Sequence, residues 1–310
     1  MELGSKNKII VILGPTASGK SEVAIKLAKK LNGEIISADS RQIYKKMDIG
    51  TGKIHGTYGI KHKTFTSEKI PHYIIDIISP KTDYNVANFK KDAEIIIKDI
   101  LKRGKLPIIC GGTGFWIKAI VDNVNFPEVK PNKKLRRKLE QKNTETLFKM
   151  LQKLDPERAK DIDAKNKVRL IRAIEIAKAL GHVPKINTKY DIQNTKYQFL
   201  QIGIDISKEE LHKKIKKRLE KRFKQGMIEE VKKLHSQGLS WKKIQSFGLG
   251  YYWIPMYLQG KLDKKELFEK VYQAEKDYAK RQMTWFKKDK RINWLKSYNE
   301  IGKEIKKFIL

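Results

Sequence analysis

The chain has 310 residues, 40% of them hydrophobic, enough to bury one sizeable core in one or two domains. A single cysteine, Cys110, excludes an internal disulfide and a cysteine-based zinc site, and is expected simply to pack in the core. With 68 Lys+Arg against 35 Asp+Glu the formal charge is +33, which suits a polyanionic partner; most of the excess is lysine, so a lysine-rich composition that only solvates helix faces stays open beside that reading.

The first residues, MELGSKNKII, run straight into the apolar stretch 9–13 and a glycine loop, a pattern that fits neither a signal peptide nor a membrane span; a cytoplasmic protein is expected. Residues 8–13 read as a buried strand. GPTASGKS at 14–21 follows, then an amphipathic helix with Val23, Ala24, Leu27, Ala28 and Leu31 on one face. A second strand is expected at 34–37, an apolar stretch at 73–78, a helix near 86–102 and a strand at 106–110. Strands alternating with helices predict a doubly wound parallel α/β sheet. From 126 to 197 the strand signals give way to charged helical segments at 132–141 and 166–180, read as an inserted helical domain. A strand returns at 198–204. Basic helices fill 207–290, broken at Gly226, Gly238 and Gly248–Gly250. The expected division is therefore 1–125 with 198–310 as a P-loop α/β core carrying a helical C-terminal region, and 126–197 as the insertion.

Gly14-Pro15-Thr16-Ala17-Ser18-Gly19-Lys20-Ser21 has the G-x-x-x-x-G-K-[ST] form, in the strand-to-helix setting the form requires. Its glycines let backbone N–H groups and the helix N-terminus point at phosphate oxygens. Lys20 would neutralise the terminal phosphate, and Ser21 would ligand Mg²⁺ bridging two phosphate oxygens. The loop recognises a diphosphate and is blind to what that diphosphate carries.

Five ordered blocks narrow the choice: GPTASGKS at 14–21, SADSRQIYKKMDIGTGK at 37–53, CGGTGFWIKAI at 110–120, RLIRAIE at 169–175 and YAKRQMTWF at 278–286. With them the sequence resembles the bacterial-type tRNA dimethylallyltransferases, which are also called tRNA isopentenyltransferases. The resemblance implies that the loop holds dimethylallyl diphosphate instead of ATP and that the prenyl group goes to N6 of the adenosine beside the anticodon, with diphosphate released. It implies tRNA, through its anticodon stem-loop, as partner, Mg²⁺ as cofactor and a monomer free of the membrane. Asp39 becomes the candidate base for the adenine amine, a helix N-cap being its bland alternative. Arg218 becomes the cation on the departing diphosphate, although its spacing alone makes it one more basic residue on a solvated helix. Thr113 is assigned to the channel where adenine and donor meet, with an N-cap again the local alternative. Asp39, Ser40, Arg41, Gln42 and Thr113 match the segments around the flipped base; Arg136, Arg169, Arg172, Lys280, Arg281 and Gln282 match segments that touch tRNA. Trp285 and Phe286 are expected to pack in the core.

The sequence departs from the family pattern at Gly250-Tyr251-Tyr252-Trp253, where two charged positions are lost, at His72-Tyr73 and at Ala164-Lys165-Asn166. Three other uses of the same loop remain: an ATP-dependent kinase, an RNA-binding NTPase with Asp76 as its second-metal aspartate, and a prenyltransferase acting on free AMP or ADP.

Overall fold

The computed structural model describes residues 7–58, 64–185 and 196–310; residues 1–6 and the expected end of the helical segment, from 186 to 195, lie outside them. The first strand shows how the sheet is built. In β1 (Asn7–Leu13), Ile9, Val11 and Leu13 point into one apolar cluster while Ile10 and Ile12 point into another, and all five are fully buried. Side chains alternate across a strand, so a continuous aliphatic run is stable only where both faces are covered. Each such side chain contributes about 1.5–3 kcal/mol on burial.

The chain continues through α1 (Lys20–Lys30), β2 (Gly33–Ser37), β3 (Thr57–Tyr58), β4 (Phe65–Ser67), β5 (Ile70–Tyr73), α2 (Val86–Lys102), β6 (Leu106–Gly111) and α3 (Gly114–Val121). The eight strands, which include β7 (Tyr197–Ile204) and β8 (Asn293–Leu295), lie in the order β3-β4-β5-β2-β6-β1-β7-β8. All pairs from β5 to β8 are parallel; β3, β4 and β5 form an antiparallel edge. The fold is thus mixed α/β with a mostly parallel sheet. In register, Leu13 pairs with Gly111 and Ser37 with Cys110, so the segments leaving β1, β2 and β6 emerge side by side at the carboxyl edge, where ligands bind in such sheets.

Two compact units divide the chain at 124–190. The smaller holds α4 (Lys133–Glu140), α5 (Thr144–Leu154), α6 (Pro156–Asp161) and α7 (Lys167–Leu180), each begun by an Asn or Asp whose side chain accepts a backbone N–H: Asn132, Asn143, Asp155 and Asn166. Such caps are each worth about 1 kcal/mol. Leu139, Leu147, Leu151, Leu170 and Ile174 form its core.

In the larger unit β7 is followed by α8 (Lys208–Lys224), α9 (Met227–Ser236), α10 (Trp241–Gln245), α11 (Gly250–Leu258) and α12 (Lys264–Phe286), and after β8 by α13 (Tyr298–Ile309). The helices break at Gly226, Gly238 and Gly248 as expected, each glycine taking a positive φ. The apolar stretch at 73–78 is a strand only at its first residue. Ile74 and Asp76 adopt positive φ, and a buried Lys53 grips the Asp76 carboxylate, so the segment turns away along 42–45. Asp76 therefore does not sit at a strand end, as an NTPase metal aspartate would. Among the described residues no helix is long and apolar enough to cross a membrane.

Candidate active site

The phosphate-type loop curls between β1 and α1. Gly19 occupies its last position before the helix with φ 90°, a left-handed conformation that glycine adopts without strain, and leaves the first turn of α1 open. Lys20 is enclosed and its Nζ donates to Pro15 O at 3.2 Å. Burial lowers its pKa, Arg218 adds to that, and Cys110 and Asp39 oppose it: the site holds a cation short of counter-charge. Ser18 Oγ is buried and has no hydrogen-bond partner among the described residues.

The loop opens on a cavity of about 510 Å³ lined by Thr16, Lys20, Ser21, Asp39, Gln42, Thr51, Gly52, Cys110 and Arg218 among others. Cys110, expected only to pack, thus also faces this space. Burial pushes its thiol up to about 11, so it stays protonated at neutral pH.

Arg218 comes from α8, 197 residues beyond Ser21. One guanidinium nitrogen reaches Thr16 Oγ1 in the loop and lies 3.4 Å from Glu275 Oε2, while its Nε is buried without a partner. Desolvation and the neighbouring Arg222 lower its pKa despite the pull of Glu275. Spacing alone made Arg218 a solvated helix residue; the fold turns it onto the loop instead. Gln282 ties the same loop from α12, its Oε1 accepting Thr16 N–H at 2.8 Å and its Nε2 donating to Gly112 O at 2.8 Å.

Asp39 sits in the turn after β2. Its Oδ1 accepts the backbone N–H groups of Arg41 (2.9 Å) and Gln42 (3.4 Å), while no described residue bonds Oδ2. The cap reading and the base reading therefore fall on different oxygens of one carboxylate. Thr113 stands at the N-cap position of α3 but makes no capping bond; its Oγ1 instead accepts Ser40 N–H at 3.1 Å and meets the Tyr278 hydroxyl. Burial, and next the charge of Asp39, raise the Tyr278 phenol well above its ordinary range, so it remains a neutral donor beside the carboxylate. Tyr278 opens the 278–286 block, but nothing in the sequence gives it this role, since it reaches Thr113 from 165 residues away.

The expected RNA-contacting residues divide. Arg41 lies over the Phe247 ring, Lys280 and Arg281 are exposed, and Arg169 is exposed at the start of α7. Gln282 is buried at 6% exposure with its amide occupied at both ends, so it braces the loop and does not face RNA. Arg136 and Arg172 both clamp Glu175, whose side chain is 1% exposed, Arg136 in a two-point fork at 2.9 and 2.7 Å. Burial would raise the Glu175 carboxyl, but Arg136, the Asn132 N–H and Arg172 outweigh it and hold it at about 2. Phe286 packs in the core as expected; Trp285 is 39% exposed, meets Phe115 edge-on and lies against Gly114, where a Cβ would stand 2.1 Å from its indole.

The profile of the IPP transferase family matches residues 42–289, and that of the isopentenyl transferases matches 7–58. The chain belongs to the IPP transferase family. It is 40% identical over 303 residues to the tRNA dimethylallyltransferase of Pelotomaculum thermopropionicum, spanning 96% of this chain and 94% of that one. The tRNA dimethylallyltransferase of Thermoanaerobacter pseudethanolicus is also 40% identical, over 97% of each. Among solved structures, a tRNA delta(2)-isopentenylpyrophosphate transferase from Staphylococcus epidermidis superposes with a TM-score of 0.69 at 39% identity, over 98% of this chain and 99% of that one. A eukaryotic dimethylallyltransferase acting on tRNA gives 0.74 at 27% identity, over 90% and 70%. The IPP transferase match thus spans the helices that carry Arg218 and Tyr278, and the isopentenyl transferase match spans the loop.

Proposed function

We propose that this chain transfers the dimethylallyl group of dimethylallyl diphosphate to N6 of the tRNA adenosine beside the anticodon, releasing diphosphate. The observation that carries the reading is one cavity with two chemistries: a loop backed by the desolvated cations Lys20 and Arg218, and a carboxylate oxygen on Asp39 that no described residue bonds. Residues 14–21 are read as a P-loop for the donor diphosphate. An oxyanion there would satisfy Ser18 Oγ and Arg218 Nε.

In this reading the N6 lone pair attacks the first carbon of the dimethylallyl group. The carbon–oxygen bond breaks with its electron pair passing to the diphosphate oxygen, and the N6 proton goes to Asp39 Oδ2. Lys20, Arg218 and the loop N–H groups stabilise the charge growing on the leaving group, and being preorganised they favour the transition state over the substrate. Thr113, Ser40 and Tyr278 hold the turn that aims Asp39. The adenine must leave its stack to reach the cavity.

Ser21 offers a hydroxyl at the first turn of α1, and no group of three or more His, Cys, Asp or Glu among the described residues could hold a metal by itself. Mg²⁺ would therefore be held by Ser21 and by diphosphate oxygens and water, and when bound it supplies neutralisation of the diphosphate charge. Arg169, Lys280 and Arg281 are read as the tRNA-facing cations and the 124–190 unit as an insertion that grips the anticodon stem. The chain is read as a cytoplasmic monomer.

Incubating the protein and Mg²⁺ with labelled dimethylallyl diphosphate and either tRNA, AMP or no acceptor tests the proposal. Label should enter tRNA alone. Transfer to AMP, or phosphoryl transfer from ATP, would replace the reading with one of its rivals.

A further inference from the structure

Behind the cavity wall lies a group of buried contacts that the proposed reaction does not use. Residues 48–52 form a strap whose Thr51 and Gly52 line the cavity, and Gln42 Nε2 steadies it with contacts to Thr51 O and Gly52 O at 3.4 Å. Glu230, on α9, takes three successive backbone N–H groups of that strap: Oε2 accepts from Asp48 and Ile49 at 2.7 Å each, and Oε1 from Gly50 at 3.0 Å. Oε1 also accepts the hydroxyl of Tyr251 at 2.7 Å, from α11. Tyr251 is 2% exposed, and its ring lies so close to Gly50 that a Cβ there would stand 2.6 Å from it.

The other side of Gly50 leads to the catalytic cation. Gly50 O accepts from Arg222 Nη1 at 3.0 Å, and the other terminal nitrogen of Arg222 bonds Glu275 Oε1. The second oxygen of Glu275 holds Arg218, which reaches Thr16 in the phosphate-type loop. The links around Arg222 are buried and the rest part-buried apart from the exposed bond from Asp48 N–H, and in such a setting charge-assisted hydrogen bonds are strong and misalignment is costly.

We infer that Glu230 and Tyr251 are positioning residues: through Gly50, Arg222 and Glu275 they fix where the Arg218 guanidinium meets the donor's diphosphate. The inference rests on the diphosphate reading of the cavity. At the start of α11, Tyr251 points inward to the relay while Tyr252, at one of the two positions that lose the family's charge, is 40% exposed.

A double-mutant cycle on the full chain tests this, read by calorimetric binding of inorganic diphosphate with Mg²⁺ at a temperature well below unfolding. Glu230→Gln puts an amide donor against backbone N–H groups and should weaken diphosphate by about tenfold, the loss expected when one charge-assisted hydrogen bond is misaligned. Tyr251→Phe, which removes one hydroxyl, should weaken it less, and Gly50→Ala should reproduce Glu230→Gln without changing any charge. In an Arg218→Ala background Glu230→Gln should cost nothing further. A role only in holding the fold together would lower the melting temperature and act equally in both backgrounds. Equal losses in the two backgrounds, or no loss in the first, overturn the relay. A chain that shows the coupling yet transfers no prenyl group to tRNA overturns the proposed function and leaves the relay standing.

Discussion

Asp39 divides its work between its two oxygens, and that division makes the choice of substitution matter. Asparagine keeps an acceptor for the Arg41 and Gln42 N–H groups and removes only the base, whereas alanine also releases the turn. Asp39→Asn should therefore lower kcat by about 10²- to 10⁴-fold, the range for loss of a general base, while donor and tRNA affinity stay near wild type. Single-turnover rates at saturating substrates check this, and near-wild-type turnover would leave Asp39 as a turn residue alone. At this scale the sequence was informative where chemistry is local: Lys20, Ser21 and Thr113 stand in or beside glycine-rich turns at strand ends, and Asp39 in the polar turn that follows β2. Glu230 and Glu275 were not legible, because nothing near them in the chain marks them, and Tyr278 stood only as the first residue of the 278–286 block with no role; their partners are 180, 57 and 165 residues away, at Gly50, Arg218 and Thr113.

Among the elements, α7 illustrates how a basic helix can be misjudged from its sequence. Its Arg169 and Arg172 are three apart and look equivalent, yet Arg169 is exposed while Arg172 joins Arg136 on the buried Glu175. The Glu175 carboxyl is held at about 2 against an ordinary 4.5, so folding is favoured by its ionised form above pH 4.5 and that contribution disappears as pH falls towards 2. Amide exchange protection in α5 and α7 should drop across that window in the wild type, and Glu175→Gln should be less protected at neutral pH and flatter on acidification. If both proteins respond alike, Glu175 does not govern the acid stability of this unit. Strands followed a similar rule of visibility. β1, β2, β6 and β7 were readable because they are apolar runs buried on both faces. The edge strands β3, β4 and β5 and the short β8 were not, since two to four residues with polar members carry no period. The run at 73–78 is apolar for another reason: Ile74 and Ile75 are buried in a turn, and beyond Tyr73 only Ile78 pairs, in an isolated bridge with Tyr44.

For the whole molecule, the +33 charge is the property that composition could not interpret. Salt dependence separates the two readings, because each neutralised phosphate releases counterions and adds nearly one unit to the slope of log affinity against log salt. Arg169→Ala should lower that slope by about one unit in tRNA binding. Lys149→Ala should leave it unchanged, since Lys149 is 68% exposed and paired with Glu145 one helical turn away. Equal shifts in both variants would mean a uniform cationic coat with no defined RNA track. Arg172→Ala is unsuited to this comparison, as it also strips a partner from Glu175.

The strand order sets a timetable for synthesis. β1 precedes the other described strands in the chain and lies at the interior of the sheet, yet its neighbours are β6, at 106–111, and β7, at 197–204. Until both have left the ribosome, one or both of its hydrogen-bonding edges stay bare and its five buried aliphatic residues have no complete cover. Sequence-distant pairings of this kind close slowly and expose strand edges to other chains. The site's groups arrive in the same staggered way: Lys20 comes first, Arg218 about two hundred residues later, and Glu275, which holds Arg218, and Gln282, which braces the loop, later still. A nascent chain thus carries its phosphate-type loop long before it has the walls to use it, and the cavity is finished only when α12 docks.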